Sequence, residues 1–240
     1  FDRAEQARMA EEKRALMYEA KSAAFDDIMN YVVSGMPGFF LIDGPGGAGK
    51  TFVYAALLHA VRGRGWVGLA CAWSGIAAVL LERGRTCHSR FGLPVPLPRD
   101  CVSSSISAQS ARAEVLRQAR VIVWDEAPMA PKEALEAVDG MLRDFMGVDA
   151  PFGGKVVVLG GDFRQVLPVM PHCSRDDVVS HSIKSHPLWL SGRVRIHRLA
   201  RNMRASTDQS WREYLLAIGD GRDPVCTDVS PFAIRLPDHI

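Results

Sequence analysis

Short apolar runs, bounded by polar, glycine or proline residues, alternate with amphipathic stretches along this chain. Such runs predict strands that are buried on both faces of a sheet, here at residues 39–42, 66–73, 121–124, 155–159 and 194–199. The amphipathic stretches predict helices over residues 3–33, 50–62, 76–81, 111–120 and 132–146. Because right-handed crossovers join the strands, we expect an α/β fold with a mostly parallel sheet and helices on both faces.

The same alternation suggests how the chain is divided. We place an N-terminal helical lead-in at residues 1–37, the α/β domain at residues 38–221, and the start of a further connection at residues 222–240. Residues 94–109 are rich in Pro and Ser, which predicts an exposed loop. Ligands of parallel sheets bind at the carboxyl ends of the strands, so the residues that follow each strand are the first functional candidates.

Composition excludes several classes of protein. The 29 Lys and Arg against 27 Asp and Glu give a net charge of +2, and 48% of residues are hydrophobic, which excludes disorder of the whole chain. We see no run long and apolar enough to span a membrane, and no secretory signal. The five cysteines are widely spaced without a C-x-x-C pair, which predicts reduced thiols and no disulfide partner. We expect a soluble, intracellular protein without a membrane partner.

One segment carries a strong signal for nucleotide binding. It fits the pattern G-x-x-x-x-G-K-[ST] with Gly44, Pro45, Gly46, Gly47, Ala48, Gly49, Lys50 and Thr51. Glycines let backbone N–H groups surround phosphate oxygens, and the helix that follows directs its positive end at the same anion. We expect Lys50 to contact the β- and γ-phosphates and the Thr51 hydroxyl to bind Mg²⁺. The alternative is an ordinary glycine turn.

Acidic and amide side chains follow two further predicted strands. Asp125 and Glu126 come directly after residues 121–124, and a phosphoryl-transfer site needs a carboxylate for Mg²⁺ and a group that orients water. We assign Asp125 to the metal and Glu126 to general base, although acidic pairs are often merely solvated. Gln165, after Gly160 and Gly161, offers an amide that can contact a γ-phosphate; the alternative is a polar turn.

Taken together, these motifs resemble superfamily 1 DNA helicases of the Pif (petite integration frequency) type, particularly the Helitron branch. The segments that carry the resemblance are the phosphate loop, Ser74-Gly75-Ile76-Ala77-Ala78, Thr86-Cys87-His88-Ser89-Arg90-Phe91, Trp124-Asp125-Glu126-Ala127-Pro128-Met129, Gly161-Asp162-Phe163-Arg164-Gln165-Val166-Leu167-Pro168-Val169, Leu199-Ala200-Arg201-Asn202-Met203-Arg204 and Ile218-Gly219-Asp220-Gly221. They follow the family's order over nearly the whole chain. The resemblance implies a RecA-like phosphate-loop NTPase domain with ATP and Mg²⁺ as cofactors.

The resemblance also implies residue roles. Contacts with single-stranded DNA would come from Ser74, Gly75, Thr86, His88 and Pro168. Gln165 would sense the γ-phosphate, and Arg204 would reach it as a delocalised cation. His88 could equally be a core or surface histidine, and Arg204 a solvated arginine.

Two features depart from the family pattern. The family begins with a glutamine that contacts the adenine edge, and the corresponding residue here is Lys21. A lysine cannot accept a hydrogen bond from the adenine amino group, so adenine selectivity does not follow from the resemblance. The family also needs a second RecA-like domain with an arginine that completes the nucleotide site, and such arginines contribute about 10³–10⁵ in rate. We expect that domain outside these 240 residues.

The resemblance implies an ATP-dependent helicase that moves 5′ to 3′ on single-stranded DNA and unwinds duplex junctions, in the nucleus or mitochondrion. Two alternatives stay open: a nucleotide- or DNA-binding remnant without turnover, and a small-molecule kinase. The basic residues from Arg193 to Arg204 could form a nucleic-acid patch, but a solvated face is the simpler interpretation. Likewise the tryptophans in apolar strands are better explained as core than as base-stacking residues.

Overall fold

The computed structural model describes residues 1–98, 102–165, 168–170, 173–203, 209–222 and 233–234. Within them, six strands form one sheet in the order β3-β2-β4-β5-β1-β6, and every strand pair is parallel. The strands are β1 (Gly38–Asp43), β2 (Val67–Ala72), β3 (Arg85–Thr86), β4 (Ala119–Asp125), β5 (Val156–Gly161) and β6 (Arg195–Arg198). The predicted α/β class and parallel sheet are confirmed.

Helices precede the sheet and connect its strands. They are α1 (Arg3–Ala15), α2 (Glu19–Ser34), α3 (Lys50–Gly63), α4 (Gly75–Val79), α5 (Cys87–Phe91), α6 (Ala111–Gln118), α7 (Lys132–Met146), α8 (Arg175–Ser180), α9 (Pro187–Leu190) and α10 (Gln209–Gly219). Short 3-10 turns occur at Ala127–Met129, Pro151–Gly154 and Ile183–Ser185.

The central strands are buried on both faces, as their apolar runs predicted. Successive side chains of β1 point in opposite directions, so Phe40 and Ile42 pack with α2 and α3, whereas Phe39 and Leu41 pack with α6 and α7. Trp124 on β4 is fully buried, as expected for a tryptophan in an apolar strand. The sheet therefore lies between two helical layers, each with its own apolar core.

Two details of the predicted elements were wrong. The single helix over residues 3–33 is two helices, because the chain turns between Leu16 and Tyr18. Arg14 stabilises this corner, since its guanidinium donates to Ser22 Oγ at 2.7 Å and to Asp26 Oδ1 at 3.0 Å. The prediction also missed β3, because a two-residue strand is too short to show a hydrophobic period.

Several predictions concern residues that the structure does not describe. Arg204, Cys101, Cys226 and most of residues 222–240 lie outside the described ranges. Of the described cysteines, Cys71 and Cys87 are buried free thiols and Cys173 is a half-buried one. No helix within the described ranges is both long and apolar enough to cross a membrane.

The order of the strands determines where the candidate residues meet. Strands β4, β5 and β1 are neighbours, and the chain leaves each of them at the same edge of the sheet. That edge receives Asp125 from β4, the Asp162–Gln165 segment after β5, and the phosphate loop after β1. Strands β2 and β3 end farther along the same edge, before Ser74 and at Thr86.

Candidate nucleotide site

The glycine loop between β1 and α3 has the conformation that its sequence requires. Gly47 and Gly49 have φ angles of +80° and +86°, in the left-handed region that favours glycine, and Gly49 directly precedes the first residue of α3. The Lys50 ammonium lies back over the loop, donating to the carbonyl of Gly44 at 2.6 Å and to that of Pro45 at 3.3 Å. Backbone N–H groups and a cation therefore converge at the start of a 14-residue helix, which is a favourable arrangement for a polyphosphate.

Asp125 ends β4 beneath this loop and is only 7% exposed. Burial raises the pKa of its carboxyl; the N–H of Glu126, the Lys50 cation and the Tyr54 hydroxyl oppose that rise. The Tyr54 hydroxyl donates to Asp125 Oδ1 at 3.2 Å, from a fully buried position on α3. Sequence reasoning missed Tyr54, although its place one turn after Thr51 could have indicated a residue facing β4.

Glu126 adopts a backbone conformation that is unusual for its residue type. Its φ and ψ of 52° and 36° lie in the left-handed region, a strain that persists only where the surrounding structure imposes it. Burial raises the pKa of its carboxyl, Asp125 and Asp162 raise it further, and Lys50 opposes the rise. A half-buried carboxylate with a raised pKa has the properties of a general base.

Asp162 orients the amide that follows β5. It is buried, and it accepts hydrogen bonds from the backbone N–H of Arg164 at 3.1 Å and from Gln165 Nε2 at 3.3 Å. A Cβ placed on Gly46 would lie 3.7 Å from Gln165 Nε2, so the amide lies beside the phosphate loop. Sequence reasoning did not assign Asp162, although a third acid at a strand end was a usable signal.

The segment after β6 closes against the same loop. Leu199 donates its N–H to the carbonyl of Asp43 at 2.7 Å, and Met203 donates to that of Gly47 at 2.8 Å. Arg204 follows Met203 directly but lies outside the described residues. Elsewhere in the basic stretch, Arg195 and His197 both bind Asp27 of α2, at 3.0 and 2.9 Å, which ties β6 to that helix.

Four of the five residues predicted to contact DNA, all except Pro168, lie at the ends of β2 and β3. The Ser74 hydroxyl accepts the N–H of Ala77 and begins α4, and the Thr86 hydroxyl accepts that of Ser89 and begins α5, both at 3.2 Å. Each hydroxyl keeps its own O–H to donate. Gly75 is exposed, and a Cβ there would meet no atom within 4 Å.

Aromatic rings lie between the Ser74 and Thr86 cluster and Asp125. The half-buried His88 ring lies 4.5 Å from that of Trp73, which stacks on Trp124 at 6.4 Å. Burial lowers the pKa of His88, which favours the neutral imidazole. The Trp73 N–H donates to the carbonyl of Asp125 at 3.2 Å. Pro168 is buried, which limits its side chain's access to a strand over this edge.

The donor chemistry of the site fits Mg²⁺. Thr51 offers an exposed hydroxyl and Asp125 a carboxylate, and hard oxygen donors with room for water are what this ion prefers. Two protein ligands are sufficient where phosphate oxygens complete the coordination.

A parallel sheet with a glycine phosphate loop after one strand and acidic residues after two neighbouring strands defines a RecA-like nucleotide-binding domain. A sequence model described as PIF1-like helicase matches residues 16–228. The chain therefore belongs to the PIF1-like helicase family.

Similarity to individual relatives is moderate. ATP-dependent DNA helicase PIF4 of Trypanosoma brucei brucei is 32% identical over 158 residues, which cover 62% of this chain and 18% of that protein. ATP-dependent DNA helicase PIF1 of Xenopus laevis is 28% identical over 207 residues, covering 84% of this chain and 30% of that protein.

Solved structures show the same fold. Pif1 helicase from Bacteroides, in complex with ADP-AlF3 and ssDNA, superposes with a TM-score of 0.68 at 26% identity, over 85% of this chain and 47% of that one. Pif1 helicase from Candida albicans gives 0.70 at 21% identity, over 93% and 50%. The chain thus spans about half the length of these helicases and a smaller share of the curated relatives.

Proposed function

We propose that this chain is a nucleotide-hydrolysing motor domain of an ATP-dependent DNA helicase, which couples ATP hydrolysis to 5′-to-3′ movement on single-stranded DNA and to duplex unwinding. One observation carries the proposal: the sheet edge brings Lys50, Asp125, Glu126 and the Gln165 amide around a single phosphate loop. The match to the PIF1-like helicase family supports DNA as the partner. A small-molecule kinase would leave the Ser74 and Thr86 cluster without a role.

Each residue around the loop has a chemical role in this proposal. Lys50 neutralises the β- and γ-phosphates, and Thr51 and Asp125 would hold Mg²⁺, which would supply charge stabilisation at the γ-phosphate. Glu126 takes the proton of the water that attacks the γ-phosphorus, while ADP leaves with the bridging oxygen. Gln165, oriented by Asp162, contacts the γ-phosphate.

Few residues separate the nucleotide site from the predicted DNA contacts in this fold. The backbone N–H of Trp73 donates to the carbonyl of Asp125, and the next residue, Ser74, caps α4 with its hydroxyl. Ser74 and Thr86 would donate to phosphates of a single strand, and His88 would lie against it on the Trp73 ring. Arg204 and an arginine of a second RecA-like domain would complete the γ-phosphate site in a longer chain.

The test is ATP hydrolysis by this chain with and without oligo-dT. We expect Lys50→Ala to lose nucleotide binding and Glu126→Gln to keep binding but lose turnover. Glu136→Gln is the matched control, because Glu136 lies exposed on α7, away from the loop. If Glu126→Gln turned over ATP like the wild type, Glu126 would not be the base.

A second pair of variants tests the DNA contacts. Ser74→Ala should reduce the stimulation by oligo-dT while basal turnover persists. Ser110→Ala is its control, because Ser110 caps α6 in the same way, with 3.2 Å to the N–H of Ala113, but lies outside the cluster. An equal effect of both changes would assign the Ser74 result to lost helix capping.

The second candidate is a nucleotide-binding domain without turnover, and the same hydrolysis assay separates the two. Nucleotide binding without hydrolysis, with or without DNA, would support this candidate, whereas turnover stimulated by oligo-dT and lost in Lys50→Ala would exclude it.

A further inference from the structure

Lys21 of α2 is a buried lysine at the phosphate loop. It is 6% exposed, and a Cβ placed on Gly49 would lie only 2.3 Å from its Nζ, so the ammonium packs directly against that glycine. The rings of Tyr18 and Phe52 lie 5.0 and 5.3 Å from the same nitrogen. Within the described part of the chain, Lys21 has no hydrogen-bond or ion-pair partner, and burial together with Arg201 lowers its pKa. The Lys21 Nζ atom is not among the fully buried unpaired atoms of the described residues, so it stays accessible beside the loop and can donate to a ligand bound there.

The two ends of the phosphate loop differ in what surrounds them. The Gly46 end faces Gln165, and Glu126 reaches the same region through its interaction with Lys50. A γ-phosphate placed there directs the rest of the nucleotide toward the Gly49 end and the first turn of α3. That end carries Lys21 with the two aromatic rings, so the base leaves the loop beside the ammonium and the ring surfaces.

The chemistry of Lys21 then discriminates between purines. An ammonium donates hydrogen bonds and accepts none. Guanine presents two acceptors, N7 and O6, on its outer edge, whereas adenine presents one acceptor, N7, beside its amino donor. Tyr18 and Phe52 offer stacking surfaces that any base can use. The ammonium is therefore complementary to the 6-oxo purine edge and only half complementary to adenine.

We propose that Lys21 contacts the purine edge and makes this a guanine-accepting site, which binds GTP at least as tightly as ATP. This inference rests on the proposed nucleotide-binding function and specifies the substrate class of the same site. It assigns to Lys21 a role in specificity, separate from the phosphate contact of Lys50.

The experiment is calorimetric titration of this chain with the Mg²⁺ complexes of ATP, GTP and ITP. ITP carries the 6-oxo group and N7 but lacks the 2-amino group of guanine, so it should bind like GTP. Lys21→Gln, whose amide can both donate and accept, should shift the ratio of the GTP and ATP dissociation constants about tenfold toward ATP. Lys21→Met, which offers no donor, should remove the preference.

Lys13→Met provides the matched control. Lys13 lies 4.9 Å from the same Phe52 ring but on α1, so its replacement should leave the ratio unchanged. Wild-type ATP binding that is tenfold tighter than both GTP and ITP binding would overturn the inference without any variant. So would a Lys21→Gln variant that weakens all three nucleotides equally, because Lys21 would then contact a phosphate.

The outcomes also separate this inference from the function it rests on. Failure of the wild type to bind any of the three nucleotides would refute both. Binding that is lost in Lys50→Ala, with a purine ratio that no Lys21 variant changes, would refute the base contact and leave the nucleotide site intact.

Discussion

Removing the Tyr54 hydroxyl tests the arrangement of the buried acid most directly. Tyr54→Phe keeps the ring that fills the space between α3 and the sheet and deletes only the donor to Asp125 Oδ1, 3.2 Å away. A hydrogen bond to a charged group contributes about 1.5–3 kcal/mol. Since 3.2 Å is long for an O–H donor, we expect the free energy of unfolding to fall by roughly 1.5–2 kcal/mol at neutral pH.

The pH dependence of this loss follows from the Asp125 carboxyl. Burial raises its folded pKa above the unfolded value, so the folded state binds more protons between the two, and stability falls as pH rises through that window. The Tyr54 hydroxyl opposes the rise, so Tyr54→Phe raises the pKa further. The destabilisation should therefore be largest above the folded pKa of Asp125 and shrink to about 0.5–1.5 kcal/mol once the carboxyl is protonated.

The assay is urea unfolding of wild type and Tyr54→Phe at pH 8 and at the lowest pH where unfolding stays cooperative. The same change in an Asp125→Asn background closes a double-mutant cycle, because the amide carries no charge to stabilise. We expect a smaller effect of Tyr54→Phe in that background. A loss that is independent of pH and identical in both backgrounds would refute the hydroxyl–carboxylate interaction and assign the effect to packing.

Three further changes test other contacts of the fold. Burial lowers the pKa of Lys155 to about 8 in the folded protein, so above that pH the unfolded chain still binds a proton that the folded chain has lost. The free energy of unfolding should therefore rise by up to about 1.4 kcal/mol per pH unit from about pH 8 to about pH 10. Urea unfolding of Lys155→Met should lack this pH dependence, and an equal dependence in the variant would refute the argument. Gly161→Ala should lower the free energy of unfolding, measured in urea, by roughly 1–3 kcal/mol, because its Cβ would lie 2.2 Å from the rigid Pro128 ring, and an unchanged free energy would contradict this contact. Asp27→Asn weakens the contacts of Asp27 with both Arg195 and His197, so it should accelerate amide hydrogen exchange in β6 while global stability changes by less than about 1 kcal/mol. Unchanged exchange would show that these contacts do not hold the strand.

Local pattern alone was sufficient for most of the fold and for the main chemical groups. The apolar runs predicted every central strand because a strand buried on both faces has to be apolar throughout. The phosphate loop was predictable because its conformation depends on glycines at fixed spacing, and both Gly47 and Gly49 have positive φ angles. Asp125 and Glu126 were predictable as partners of that loop because parallel strands end at one edge.

Contacts between residues far apart in the chain were decided only by the tertiary structure. The bond from Tyr54 to Asp125 joins positions 71 residues apart, and the packing of Lys21 on Gly49 joins two separate elements. The local periodicity of the sequence does not predict such pairs, because they depend on how α2 and α3 pack against the sheet. Sequence could show that Lys21 departs from the expected glutamine. The position of its ammonium at the loop required the packed fold, since burial and direction are properties of the surrounding atoms.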